Sequence, residues 1–389
     1  MKIENIIPRT LRHFLVESKK SILLLGPRQT GKSTLMASLS PDITINLARE
    51  HTYLEFARNP RELEERLAAL SGGVIFIDEI QRLPSLLNTI QAIIDEHAGQ
   101  FRFLLTGSSA RKLKRGNANL LPGRIHAFYL GALTCRELDY KMNIREALAF
   151  GTLPGIVTDI NEAEKKLTLQ SYAATYLKEE IQSEALTKNI EGFSRFIYVT
   201  AAVATQFLDF TKLASEAGIS RQSAMRYFDI LEDTLIVKRC MPFAKSHRKR
   251  LVQHPRFFFF DVGVLNGLIG SYDVSADRIG MLFEHFIFNQ LIETAESLNH
   301  PIKISSYRTE YGVEVDFIVE THHELIAIEA KASTQVSTSD LRGLKNFREY
   351  YGKPMRSVVL YLGLHKKIID DVEILPWMEF FRTVQDFSR

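Results

Sequence analysis

Cysteine is scarce in this chain: Cys135 and Cys240 are the only two among 389 residues. They lie far apart and show no metal-ligand spacing, which argues for isolated thiols in a reducing compartment rather than a disulfide framework. Long apolar runs are missing as well. None reaches the ~18 uncharged residues of a membrane span, and the start lacks a secretory pattern, so a cytoplasmic protein with no membrane partner is expected. Charge of one sign is also lacking. Forty-nine Lys and Arg against 46 Asp and Glu leave a formal +3, too little to identify nucleic acid as the partner from the balance alone. No internal repeat, no low-complexity segment and no Asn-Lys-x-Asp guanine signature is present, so ATP is the expected nucleotide.

What remains is ordinary globular composition, 45% hydrophobic and 24% charged, in a chain long enough for two or three domains. Two local clusters are strongly basic. Residues 110–125 hold Arg111, Lys112, Lys114, Arg115 and Arg124, and residues 241–260 hold Lys245, Arg248, Lys249, Arg250 and Arg256, with no acid in either. Such stretches either track phosphates or form solvated loops.

The most specific signal lies at Gly26-Pro27-Arg28-Gln29-Thr30-Gly31-Lys32-Ser33-Thr34, which follows the apolar run Ile22–Leu25. It satisfies GxxxxGK[ST], whose backbone N–H groups cradle phosphate while the lysine reaches the β/γ-phosphates and the hydroxyl of Ser33 serves Mg²⁺. Arg28 and Gln29 have no obligatory phosphate role. Val74–Ile77 reads as a strand buried on both faces. Its end delivers Asp78 to the magnesium shell and Glu79 to the attacking water. A third strand, Phe101–Thr106, ends in polar groups, with Thr106 or Ser108 placed to sense the γ-phosphate or hold the water. Arg124, beyond that strand, is a candidate γ-phosphate contact, in cis or across a subunit boundary.

The organisation suggests three parts: 1–140, an α/β phosphate-loop domain with strands alternating with helices near 58–70 and 87–97; 141–245, mostly helical; and 246–389. In the middle part, Ser171–Ile181 fits a helix, and 209–235 fits a helix-turn-helix with Gly218 at the turn and Ser220 as N-cap. That pattern places Arg221, Gln222, Met225 and Arg226 toward a nucleic-acid groove. Strands near 236–243 and 256–260, joined through the basic 246–250 stretch, would complete a winged helix, serving either groove recognition or packing.

The last part carries a second acidic constellation. Glu284 sits in a largely apolar helical stretch, where a carboxylate is costly unless paired or bound to metal. Asp316 and Glu329 fall at adjoining strand ends, where they would ligate Mg²⁺ together with the carbonyl of Ala330. Lys331, on the face of Glu329, would orient water or stabilise a phosphodiester transition state. An inert, structural version of the same constellation is the alternative. Trp377 reads as packing.

GPRQTGKST, VIFIDEIQ, LLTGSSA and LPGRIHAFYLGALTCREL resemble the ATPase domain of a widespread prokaryotic group of AAA-type ATPases. In that group the ATPase is joined to a C-terminal region formerly of unknown function. FFFFDVGVLN, YRTEYGVEVDFIVE and IEAKAS look like that region, which is similar to restriction-endonuclease-like folds. The resemblance implies an α/β P-loop NTPase domain, a winged-helix middle and a C-terminal α/β endonuclease-like domain. It also implies phosphate and Mg²⁺ binding by Lys32, Ser33 and Asp78, water activation by Glu79, an arginine sensor or finger at Arg124, and a nuclease-like core at Glu284, Asp316, Glu329 and Lys331. Pro122 departs from the small residue more usual there. The expected function is ATP hydrolysis coupled to DNA binding or processing, with self-association or a protein partner open. The alternatives are an ATP-gated Mg²⁺-dependent nuclease and a protein-recruitment switch.

Overall fold

Short strands rich in Ile, Leu and Phe make the first sheet: β1 Ser21–Leu25, β2 Ile43–Asn46, β3 Gly73–Asp78, β4 Phe101–Gly107 and β5 Ile125–Tyr129. Their order is β2-β3-β4-β1-β5 and every ladder is parallel. Parallel strands buried on both faces need continuous apolar runs, and β1 is buried at every position. Ile22 and Leu24 pack with Leu35 and Met36 of helix Lys32–Ala37. Leu23 and Leu25, on the opposite face, pack in one core with Leu63 and Leu67 of helix Glu62–Ala68 and Ile90 and Ile93 of helix Leu86–Glu96. The loops after β1, β3 and β4 therefore leave the sheet at one edge, where ligands of such sheets bind.

The computed structural model describes residues 6–108, 121–176, 190–243 and 254–383. These divide into two compact units, one formed by Pro8–Gly131 with Asp233–Ile236, the other containing Ala132–Glu232 and Val237–Arg389. The first holds the parallel sheet. The second has a helical part followed by a mixed sheet of β6 Val237–Pro242, β7 Arg256–Phe259, β8 Lys303–Arg308, β9 Glu314–Glu320, β10 Leu325–Lys331, β11 Arg356–Tyr361, β12 Lys367–Ile369 and β13 Val372–Pro376. Its order is β12-β13-β11-β10-β9-β8-β6-β7.

Period-two patterning sorts this second sheet between two cores. Ile326 and Ile328 pack with Phe283, Phe286 and Ile287 of helix Ile279–Ser297, whereas Leu325 and Ala327 pack with Leu344 and Phe347 of helix Arg342–Tyr351. Trp377 meets Phe286 edge-on, ring centroids 5.2 Å apart, in the packing role expected of it. The segment after β13 is a helix, Trp377–Thr383, with Trp377, Phe380 and Phe381 on one buried face.

The helix-turn-helix pattern is present as helices Phe210–Ala217 and Arg221–Asp233, with Gly218 left-handed at φ 63° between them. The strands expected to follow are β6 and β7, paired antiparallel from Val237 opposite Phe259. β6 also runs parallel to β8 through Met241 and Pro242, so this pair continues into the C-terminal sheet. The basic stretches 110–120 and 246–250 fall outside the described residues, as do residues 177–181 of the helix expected over 171–181, in which Tyr172–Tyr176 form a widened helical turn.

Two motifs of the second unit explain each other. Asp261, in FFFFDVGVLN, caps helix Val262–Ile269 by accepting from Val264 N at 3.0 Å and also accepts from Thr152 N at 2.8 Å. Burial pushes its carboxyl up to about 6, against the backbone donors of Thr152, Val264 and Gly263. Asn266 Nδ2 donates to the carbonyls of Leu148 and Ala149 at 2.9 and 2.8 Å. Gly151 adopts φ 72°, and a Cβ there would lie 2.1 Å from Asp261 Oδ1. Gly151→Ala should therefore lower the urea-unfolding midpoint of this unit by a stability loss of more than about 1 kcal/mol. An unchanged midpoint would show that Asp261 can move away without penalty.

Candidate functional site

The loop after β1 is shaped by two left-handed residues, Gln29 at φ 61° and Gly31 at φ 90°, and by the close approach of Gly26 to Leu130, the residue after β5. A Cβ on Gly26 would sit 2.1 Å from the carbonyl oxygen of Leu130, so only glycine fits. Thr30, fully buried, donates to Pro27 O at 2.9 Å. Arg9 braces the loop from outside, donating to Thr30 O at 2.7 Å and Gly131 O at 2.9 Å. Lys32 is folded onto the loop, donating to Gly26 O at 2.9 Å and Pro27 O at 2.7 Å. Those two carbonyls hold the ammonium where it can turn to a phosphate. Ser33 and Thr34 follow in the first turn of helix Lys32–Ala37.

Asp78, at the end of β3, gathers the neighbouring strand ends. Ser33 Oγ donates to its Oδ1 at 2.8 Å and Thr106 Oγ1, from β4, donates to the same atom at 2.5 Å. A carboxylate oxygen held by a phosphate-loop hydroxyl has the donor set Mg²⁺ prefers, hard oxygens with room for waters and phosphate. Glu79 follows in the left-handed region, φ 61° and ψ 45°, which costs a non-glycine residue roughly 1–2 kcal/mol. Its N–H is tied to Thr106 Oγ1 at 3.1 Å, and this turn carries its carboxylate off the strand axis. Gln81 Nε2 donates to Glu79 Oε2 and, at 2.9 Å, to Ser108 Oγ. Ser108 Oγ also lies 3.5 Å from Glu79 Oε2. Among the described residues the buried Gln81 Oε1 has no partner, which leaves an acceptor beside Glu79 for a water.

Lys32, Ser33, Asp78, Glu79, Thr106 and Ser108 are thus brought together. Arg124 is not among them. Ile125 pairs with Ser21, at the opposite end of β1 from the phosphate loop, about 13 Å away at 3.3 Å per residue. Arg124 instead makes a bidentate pair with Asp95, at 2.6 and 2.9 Å. A γ-phosphate contact in cis is therefore not formed. Sequence reasoning passed over Arg9 and gave Gln81 no part; the place of Gln81, two residues past Glu79 in DEIQ, was its one signal.

The second acidic constellation also assembles. Asp316 of β9 and Glu329 of β10 face one another, one step beyond the Phe317–Ile328 pair, and Glu284 reaches them from helix Ile279–Ser297. Lys331 Nζ lies 3.0 Å from Glu329 Oε1 and 3.9 Å from Asp340 Oδ1. Ala330 contributes its amide and not its carbonyl, donating to Asp316 Oδ2 at 2.9 Å. Arg256, expected as part of a phosphate-tracking or solvated cluster, is buried here and pairs with Glu284, its Nη1 lying 3.9 Å from Asp316 Oδ1. Burial, followed by repulsion from Asp316, pushes Glu284 up to about 8 and Glu329 well above the usual carboxylate range. Among the described residues, no group of three or more His, Cys, Asp or Glu side chains is arranged to hold a metal ion. With the guanidinium in place the acids do not fit a Mg²⁺ ion.

Residues 18–139 match the family model described as an AAA domain. Residues 141–274 and 279–380 match two domains of unknown function, DUF8612 and DUF4143. The chain carries an N-terminal AAA-type P-loop ATPase domain fused to two domains of unknown function. An uncharacterized protein of Mycobacterium bovis and one of Mycobacterium tuberculosis are each 28% identical over 330 residues, covering 82% of this chain and 71% of theirs. A signal-transduction ATPase with a tetratricopeptide-repeat sensor from Pyrococcus horikoshii is 11% identical, with 77% of this chain covering 48% of that one, at a TM-score of 0.29. That value is too low to carry an argument. No helix among the described residues is long and apolar enough to cross a membrane.

Lys32→Ala should weaken ATP binding itself, read as a loss of affinity in a fluorescent-nucleotide titration; unchanged affinity would remove the phosphate-loop assignment. Gln81→Ala should leave that affinity intact and lower turnover, because Glu79 loses the amide that positions it. Equal turnover would show that Gln81 only packs.

Proposed function

We propose that the chain hydrolyses ATP to ADP and phosphate at the phosphate loop and uses that cycle to switch a nucleic-acid-binding segment. The reading rests on one observation: hydroxyls from the loop and from β4 converge on Asp78 Oδ1, immediately beside Glu79. In it, Ser33 and Asp78 hold Mg²⁺, which when bound neutralises charge on the β- and γ-phosphates. Lys32 exchanges the carbonyls of Gly26 and Pro27 for phosphate oxygens. Glu79 accepts the proton of the attacking water, with Gln81 and Ser108 fixing its carboxylate. Because the protein donors are already gathered, little reorganisation is left to the reaction itself.

The nucleic-acid part of the proposal rests on helix Arg221–Asp233, the second helix of a winged-helix-like arrangement. Ala224, Tyr227, Phe228 and Leu231 are buried on one face, and Arg221, Gln222, Met225 and Arg226 are exposed on the other. Ser220 Oγ accepts from Ser223 N at 3.1 Å and fixes the helix start. Two arginines and an amide at the first turns of such a helix suit phosphate and base-edge contacts in DNA.

Glu79→Gln should keep ATP affinity and slow phosphate release by about 10²-fold or more; undiminished turnover would assign the base elsewhere. Arg221→Ala with Arg226→Ala should weaken DNA binding and flatten its salt dependence. Retained affinity with an unchanged salt slope would favour the protein-recruitment reading instead.

A further inference from the structure

The acids of the second unit form a cation site whose cation is part of the chain. We propose that the Arg256 guanidinium is a permanent internal counter-cation for Glu284 and Asp316, beside Glu329, standing where a divalent ion would bind. The cluster then takes up a divalent cation only when Arg256 is removed.

Three acids arrive from three elements, a helix and two neighbouring strands, and an unpaired group of this kind attracts a hard cation with its oxygens. Here the fork of Arg256 does so first, pairing with Glu284 through Nη2 and facing Asp316 through Nη1 at 3.9 Å. The guanidinium is not a lid that a metal can push aside. Its Nε donates to the carbonyl of Thr205 at 2.6 Å, and its Cζ lies 5.3 Å from the Phe258 ring centroid and 5.9 Å from that of Phe207. Thr205 sits at φ 69°, a genuine outlier for a β-branched residue, and presents that carbonyl to Nε. Withdrawing Arg256 would strip Thr205 O of this donor and remove the cation that offsets the burial of Glu284, each a loss of the kind that destabilises interiors.

Lys331 differs. Its side chain is 33% exposed, and it divides its attention between Glu329 and the more superficial Asp340. One acceptor of the cluster stays open: among the described residues the buried Glu329 Oε2 has no partner. A single oxygen does not make a Mg²⁺ site while the other acids are paired, but it gives an ion a foothold once the guanidinium is gone. The residue types are those of a metal centre, but they are gathered around a guanidinium that strand β7 supplies.

The test is Mn²⁺ binding to the full-length, nucleotide-free protein, stripped with chelator and followed by the electron paramagnetic resonance signal of free Mn²⁺. In the wild type, Mn²⁺ uptake should be the same with and without Asp316→Asn. Arg256→Ala should gain a single Mn²⁺ per chain, and Arg256→Ala with Asp316→Asn should lose it again. Wild-type uptake that disappears in Asp316→Asn would overturn the proposal and make the cluster a metal centre as it stands. So would an Arg256→Ala protein with wild-type circular dichroism and no gain. Should that variant not fold, Arg256→Gln, which keeps an amide donor toward Thr205 and removes the charge, is held to the same two outcomes, and the wild-type comparison decides independently.

Discussion

Taking a carboxylate out of water is the constraint on which this structure turns, because each such group must be met by donors or by positive charge. Asp78, Asp261 and Glu284 meet it in three ways. Asp78 is satisfied by the hydroxyls of Ser33 and Thr106, groups that can rotate away or share the oxygen with an ion. Asp261 is satisfied by backbone N–H groups, which cannot leave without unmaking the loop and helix that own them. Glu284 is satisfied by a guanidinium fixed to the main chain. The first arrangement can exchange partners, the second joins two segments of chain, and the third fixes a carboxylate in place.

This distinction also orders the chain by what its motifs are for. GPRQTGKST and VIFIDEIQ place exchangeable groups at the edge of a parallel sheet. FFFFDVGVLN places fixed ones: Asp261 holds the amide of Thr152, and Asn266 the carbonyls of Leu148 and Ala149. Polar residues thus serve opposite ends, and the identity of their partners separates them.

The phosphate loop, Asp78, Glu79 and Thr106 were legible from sequence because each is fixed by local chemistry: a glycine-rich turn, or the end of a short apolar strand. The second sheet was legible in its strands, since β9 alternates and β10 opens on a short apolar run ending in polar residues. The cis contact weighed for Arg124 does not form, because motif order says that it follows β4 but not which end of the parallel sheet it reaches. Arg256 was read as one of a run of basic residues. Its partners lie 28 and 60 positions away, at Glu284 and Asp316, and no local pattern encodes a pairing of that range. Gln81 and Arg9 were missed for a related reason, as amide and guanidinium groups acquire a role only from what folds against them.

One feature of the second sheet bears on how the chain can be divided. β6 is held on one side by β7 and on the other by β8, so helices and sheet are joined by hydrogen bonds in the middle of the sequence. A fragment ending near residue 245 would keep β6 and lose both neighbours, exposing two rows of unpaired backbone groups to other chains. Handled in isolation, the helical segment would be sticky for reasons unrelated to its biological partner, and binding seen with it would need to be repeated with β7 and β8 present.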